Sequence, residues 1–223
     1  MKQIVKFICT ITLIVISVCI TFTANAAPLD MGEETHLVFM REEEKLARDV
    51  YLTLAGLYPE NPIFNIIANG SEQVHTDTMK AKLDQFGIAD PNPNTNNLPD
   101  SLGIFTGVDY GWYFTEKYGL LTAKGEISEL DALYVGAYIE ELDMLDIIKC
   151  PKVIVETDNG IGVGECGLDY TDEAALINSL GSLVEGSKNH FRSYVAQIEL
   201  IIGVGNYQAQ VLTQEEVDII LGR

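Results

Sequence analysis

The chain has 223 residues, four cysteines and a formal net charge of −19. That length suits one domain of ordinary size with a sizeable core. Such an excess of acid repels nucleic acid and anionic membranes, so it argues against both as partners, and it favours solubility and loose attraction of cations.

Residues 1–26 read as an export signal. Lys2 and Lys6 precede an uncharged apolar run from Phe7 to about Phe22, and Ala24-Asn25-Ala26 supplies the small-x-small pattern of a cleavage site. The run lies near the lower limit of a membrane span, which leaves retention as an anchor as the alternative, but no basic stop-transfer patch follows it. Val18 is too bulky a neighbour for Cys19 to suit a lipoprotein signal. Cleavage leaves residues 27–223 as one domain, secreted, periplasmic or at the cell surface. It removes Lys2, Lys6 and no acid, so the net charge becomes −21. Cys9 and Cys19 leave too, and Cys150 and Cys166 remain where disulfides persist. A disulfide between them is the natural reading, because two cysteines without a nearby histidine make a poor zinc site.

The first helix is expected over residues 36–58, with Leu37, Met40, Glu44, Ala47, Tyr51 and Leu54 on one face. Glu44 is the one charge on that line, although the run Glu42-Glu43-Glu44 is of a kind that is usually exposed and Glu43 is the alternative inward residue. His36 stands at this helix start and reads as surface. A second helix opens at Asn61-Pro62 and runs to about Phe86, with the stripe Phe64, Ala68, Glu72, His75, Met79 and Leu83. Residues 90–99, rich in proline and asparagine, cannot hold a helix and read as a surface connection. Residues 109–121 form a shorter helix whose Trp112, Tyr113 and Phe114 pack over a bundle end, the alternative being a ligand-binding lid.

Ser128 and Asp131 form a capping-box pattern that starts a third long helix ending near Lys149, with Leu133, Gly136, Glu140, Met144 or Asp143, and Ile147 facing inward. Glu141 is the alternative to Glu140. Val153-Ile154-Val155 and Ile161-Gly162-Val163 flank Thr-Asp-Asn-Gly, a hairpin pattern whose register sets Cys150 opposite Cys166. The disulfide would close this loop and contribute about 3 kcal/mol. Gly160, Gly162 and Gly164 fit neither common phosphate-loop spacing and read as turn glycines. The fourth helix spans about residues 171–201 with Leu176, Leu180, Leu183, Ser187, His190, Tyr194, Ile198 and Ile201 in register, and Thr213 with Glu216 caps a short helix in the tail.

Five ligating side chains therefore interrupt apolar stripes on four helices: Glu44, Glu72, His75, Glu140 and His190. Glu72 and His75, spaced i and i+3, point the same way from one helix. A carboxylate on a core stripe must be neutralised, paired or bound to a cation, because desolvating an isolated charge costs several kcal/mol. Mid-helix positions on adjacent antiparallel helices reach the same level, and carboxylates with imidazoles and no thiolate suit iron, manganese or zinc.

The segments Glu42-Glu43-Glu44-Lys45-Leu46-Ala47-Arg48-Asp49-Val50-Tyr51, Ser71-Glu72-Gln73-Val74-His75, Gly136-Ala137-Tyr138-Ile139-Glu140-Glu141 and Gly186-Ser187-Lys188-Asn189-His190-Phe191 resemble the ferritin-like family called domain of unknown function 2202, over nearly all of the chain from about residue 36 to the tail. That resemblance implies a ferritin-like antiparallel four-helix bundle, distantly related to rubrerythrins, to which the residues themselves add a short extra helix between the second and third and a disulfide-stapled hairpin between the third and fourth. In the wider di-iron pattern, one glutamate comes from each of the first and third helices and Glu-x-x-His from each of the second and fourth; Glu44, Glu72, His75, Glu140 and His190 match. Ser187 departs, standing where a glutamate is expected, and Asp143, one turn beyond Glu140, is the substitute. The function implied is an exported protein binding one or two transition-metal ions, iron before manganese or zinc, with oxidoreductase chemistry on oxygen or peroxide; a homodimer is compatible with it. The alternative is a metal-free helical binding module with a buried Glu/His hydrogen-bond network.

Overall fold

The computed structural model describes residues 28–157 and 160–223; the export signal expected at residues 1–26 lies outside them. All regular structure among the described residues is helical. The order is α1 (Met31–Leu57), α2 (Ile63–Ile67), a π-helical turn (Ala68–Glu72), α3 (Gln73–Phe86), α4 (Gly111–Gly125), α5 (Glu129–Ile148), α6 (Lys152–Glu156), α7 (Ala174–Ile202) and α8 (Gln214–Leu221). The expected ferritin-like antiparallel four-helix bundle is formed by α1, the α2–π–α3 run, α5 and α7. The α1 helix packs on α3, α5 on α7 and α3 on α7, while α4 lies against α1 and α5.

The α1 helix starts one turn earlier than its apolar spacing suggests. Asp30 accepts the Glu33 N–H at 2.9 Å and Glu33 accepts the Asp30 N–H at 3.1 Å, a reciprocal cap. His36 consequently sits inside the helix and faces α5, where Nε2 donates to the Asp146 carbonyl at 2.8 Å. The surface position expected for it is thus corrected: it is 2% exposed, and burial lowers its pKa to about 4, so it is held neutral.

From Phe39 to Tyr51 every α1 residue is buried, charged ones included. Residues 90–103 explain this, because they form a strap over the helix instead of the plain surface connection expected. Arg41 is held by Asp90 at 2.9 Å and donates to the Thr76 carbonyl; Arg48 reaches the Thr95 carbonyl at 3.0 Å; Lys45 reaches Asp49 and the Ser101 carbonyl. Each buried cation is thus paired and hydrogen-bonded, the condition for keeping a charge out of water.

The second long helix starts as expected at Asn61-Pro62, with Asn61 Oδ1 accepting the Ile63 N–H at 3.2 Å. A π turn, absent from the expectation, interrupts it at Ala68–Glu72. Such turns cluster at functional sites, and this one ends on Glu72. The stripe Phe64, Ala68, Glu72, His75, Met79 and Leu83 is nonetheless buried throughout. On α5, Ser128 accepts the Asp131 N–H as expected, and Gly136 leaves room for the Tyr194 ring, which a Cβ would meet at 2.4 Å. The α7 stripe holds as far as Ile198, but Ile201 is 57% exposed.

The disulfide joins Cys150 to Cys166. The hairpin around it is not formed: Val153–Val155 lie in α6, whose N-terminus follows Pro151, and Ile154 is wholly buried. Three apolar residues in a row cannot distinguish a strand from a helical turn, and proline ahead of them favours the turn. The stapled loop instead returns its backbone to the end of α5, through Leu168 N–H to the Ile147 carbonyl and Asp169 N–H to that of Ile148. Phe114 packs 4.9 Å from Phe39 and Tyr113 6.1 Å from it, so this aromatic cluster does cover the bundle. Trp112 is exposed and lines a cleft of about 700 Å³ with Met31, Val38 and Val108, away from every Glu/His stripe position. No helix among the described residues is long and apolar enough to cross a membrane.

Candidate metal centre

Five of the six sequence-predicted ligands meet at one buried place. His75 Nδ1 lies 3.2 Å from Glu44 Oε2 and 3.5 Å from Glu72 Oε2; His190 Nδ1 lies 2.8 Å from Glu72 Oε1 and 3.3 Å from Glu140 Oε2. Two triads result, Glu44–Glu72–His75 and Glu72–Glu140–His190, each offering atoms within 4.8 Å of one another. Glu72 belongs to both, with one oxygen toward each imidazole. All five residues are at most 8% exposed, and the two rings stack 5.5 Å apart.

The sixth residue, Asp143, is buried beside the triads and belongs to neither. The departure at Ser187 accounts for its posture: the Ser187 hydroxyl lies 2.5 Å from Asp143 Oδ2 and 3.0 Å from the Leu183 carbonyl and shares its one proton between them, leaving Asp143 Oδ1 without a partner. A serine and an aspartate from facing helices thus share the space where the wider pattern expects one glutamate. The two alternatives weighed from sequence are buried but point elsewhere. Glu43 interacts with Asp146, and Glu141 accepts from the Tyr207 hydroxyl at 2.6 Å and from the backbone N–H groups of Gln210, Val211 and Leu212, tying down the tail.

Packing and hydrogen bonds orient the ligating groups. The Tyr51 hydroxyl donates to Glu140 Oε1 at 2.6 Å, and Ser71 Oγ lies 3.4 Å from His75 Nε2. Gly186 lets His75 approach α7, since a Cβ there would come within 2.6 Å of the imidazole. These supporting residues were not picked out as such from sequence. Glycines at 136 and 186 inside long helices, where alanine is otherwise better, were the available sign.

Electrostatics follow from a surplus of carboxylates around two imidazoles. Burial lowers the pKa of His75, but Glu44 and Glu72 outweigh it and lift His75 to about 12. Burial likewise opposes protonation of His190, yet Glu140 and Glu72 lift it to about 10. Glu72, despite burial, is held below the usual carboxylate range by the two imidazoliums. Glu44 rises to about 7, chiefly by burial and against the pull of His75, and burial with the charges of Glu44 and Glu140 raises Asp143 well above its ordinary value.

The two Glu/His groups are of a kind that could hold a metal ion. His190 Nδ1 sits close to two carboxylate oxygens without an aligned hydrogen bond to either, and Glu44 Oε1 and Asp143 Oδ1 are buried with no partner. Carboxylate oxygens and imidazole nitrogens gathered around a common space can coordinate an ion once the imidazole protons are displaced, and mixed carboxylate and imidazole ligation suits iron, manganese or zinc.

Four long helices directing glutamates and histidines into one buried interior define the ferritin-like class of carboxylate–histidine bundles. Residues 33–223 match the uncharacterized protein domain DUF2202, and the chain belongs to that family. It is similar to the uncharacterized protein MJ0754 of Methanocaldococcus jannaschii, at 38% identity over 194 residues that cover 87% of this chain and 89% of the relative. It is also similar to the crystal structure of the hypothetical protein MJ0754 from Methanococcus jannaschii, with a TM-score of 0.71 at 36% identity, covering 88% of this chain and 95% of that one.

Proposed function

We propose that the protein is an exported metal-binding member of its family, holding one or two transition-metal ions, iron before manganese or zinc, and reacting with oxygen or peroxide. The observation that carries this reading is the division of the Glu72 carboxylate between two triads. Glu44 and His75 would complete one ion's protein ligands, Glu140 and His190 the other's, with Asp143 within reach as a further carboxylate. A redox-active ion held there would supply electron transfer to oxygen or peroxide. The chain's own residues exclude water, fix the imidazoles with Nδ1 inward, and supply Glu140 with a proton-bearing neighbour in Tyr51. Export rests on the signal pattern at residues 1–26 and on the disulfide, which suits an oxidising compartment.

The test is metal content after anoxic purification and supply of iron, manganese or zinc. Wild type retains metal, and the variant carrying Glu72→Ala and His75→Ala does not; a wild type that retains none overturns the reading.

Ser187 favours a second reading, in which the core holds no metal and His75 and His190 neutralise Glu44, Glu72 and Glu140 in a hydrogen-bonded network. Under it Glu72→Gln costs stability alone, whereas in a metal protein the same change removes metal while the bundle stays folded.

A further inference from the structure

The cleft beside Trp112 takes no part in the Glu/His centre. One wall is a single face of α1, where Met31, Glu34, Thr35 and Val38 recur at i, i+3, i+4 and i+7. The other is the entry to α4, with Val108, Asp109 and Trp112. Its volume, about 700 Å³, is that of a small-molecule site. Val108 is 96% exposed, and Met31 and Trp112 are 57% exposed each, so three large apolar side chains face water around one hollow. The indole is nonetheless held in place: Nε1 donates to the Asp109 carbonyl at 3.0 Å, and Tyr113 stands edge-on to it with ring centroids 5.9 Å apart. Among the described residues neither Glu34 nor Asp109 has a cation for a partner, and no lysine or arginine lines the cleft. Acids at the starts of α1 and α4 suit the helix dipoles without any ligand, but exposed Trp112 and Val108 beside them do not follow from that.

Two carboxylates repel an anion, and a neutral apolar ligand would strip them of water with nothing in exchange. An ammonium group answers both sides of the cleft, since it pairs with a carboxylate and lies favourably on an indole face. The same aromatic cluster already receives one, because Lys117 Nζ lies 5.3 Å over the Tyr113 ring. We propose that this cleft binds a linear alkyl diammonium ion, of the diamine and polyamine class. One ammonium meets Glu34, the other meets Asp109 and the Trp112 face, and the methylene chain lies along Met31, Val38 and Val108. The acidic chain concentrates such cations around itself, and the cleft selects among them by supplying an apolar wall that a hydrated metal ion does not need. This site is independent of the metal reading above.

Trp112 is the single tryptophan of the chain, so intrinsic fluorescence reports on this cleft. The experiment titrates the purified protein with 1,6-diaminohexane at low ionic strength, following emission and, on the same samples, heat. Wild type gives a saturable change with half-saturation below about 1 mM, 1-aminohexane binds about fivefold more weakly, and magnesium at equal ionic strength gives no change. Glu34→Gln, Asp109→Asn and Trp112→Leu each weaken diamine binding about two- to fivefold by calorimetry, with circular dichroism unchanged. No saturable signal with the diamine, equal binding of the monoamine, an equal response to magnesium, or affinity unmoved by all three substitutions overturns the proposal. A lysine-bearing peptide that binds where the diamine does not overturns it too, in favour of a protein partner.

Discussion

Metal binding at this centre must displace protons, and the geometry indicates how many. Burial pulls both imidazoles down, but Glu44 and Glu72 hold His75 up to about 12, and Glu140 with Glu72 holds His190 up to about 10. An imidazole ligates only as the neutral base, so between about pH 6 and pH 8 each carries a proton before binding and none after. Glu44, lifted to about 7, contributes part of a third. Each displaced proton strengthens apparent affinity about tenfold per pH unit, so two give about a hundredfold per unit, or roughly 3 kcal/mol. A histidine with the ordinary value of 6.5 would stop contributing above that pH. Competition titrations with Co²⁺ or Mn²⁺ across this range measure the slope, and calorimetry in buffers of different ionisation enthalpy counts the protons. Affinity that stays level between about pH 7 and pH 8, with no protons released, would mean neutral imidazoles in the metal-free protein and would refute the carboxylate pairing described.

Other expectations concern the surroundings of the centre. Burial raises Glu42 from 4.5 to about 7, against hydrogen bonds from Asn92 and Gly107. A raised acid favours the fold while neutral, so its contribution is intact below about pH 4.5 and is lost as pH rises through about 7; Glu42→Gln should therefore stabilise by up to about 3 kcal/mol near pH 8 and change little near pH 4, as read by urea unfolding. Equal effects at both pH values would be the wrong outcome. Gly186→Ala puts a methyl group against the His75 ring and should weaken metal binding by about 1–3 kcal/mol, whereas Gly181→Ala, with open space around it, should stabilise α7 by up to about 1 kcal/mol; titration and thermal unfolding compare them. Glu141→Ala removes the acceptor for Tyr207 and three backbone N–H groups and should cost about 3 kcal/mol, with hydrogen exchange rising in residues 207–221 before it rises in α5 or α7; uniform loss across the bundle would argue against a local clasp.

Helical periodicity and capping chemistry are local properties, and they located the four long helices, the short α4 and α8 and the inward lines carrying Glu44, Glu72, His75, Glu140 and His190. A polar residue on an otherwise apolar stripe is visible in one dimension because the stripe itself reports which way the helix faces. The disulfide was legible too, since two cysteines leave one pairing. Local pattern was silent wherever a residue's surroundings come from distant chain. Of the run Glu42-Glu43-Glu44 only one residue is expected to face inward, Glu44 or else Glu43, but α4 and the strap of residues 90–103 enclose the other side of α1 as well and all three are buried. His36 looked peripheral because its burial depends on α5, and Val153–Val155 looked like a strand because three residues carry no period. What Ser187 means was likewise undecidable from sequence: only α5 lying against α7 sets its hydroxyl on Asp143. The sequence by itself determined which faces turn inward, because side-chain spacing follows from helix geometry. The tertiary structure alone decided which carboxylates meet an imidazole and which meet a clasped tail, because that depends on how separate helices are placed in space.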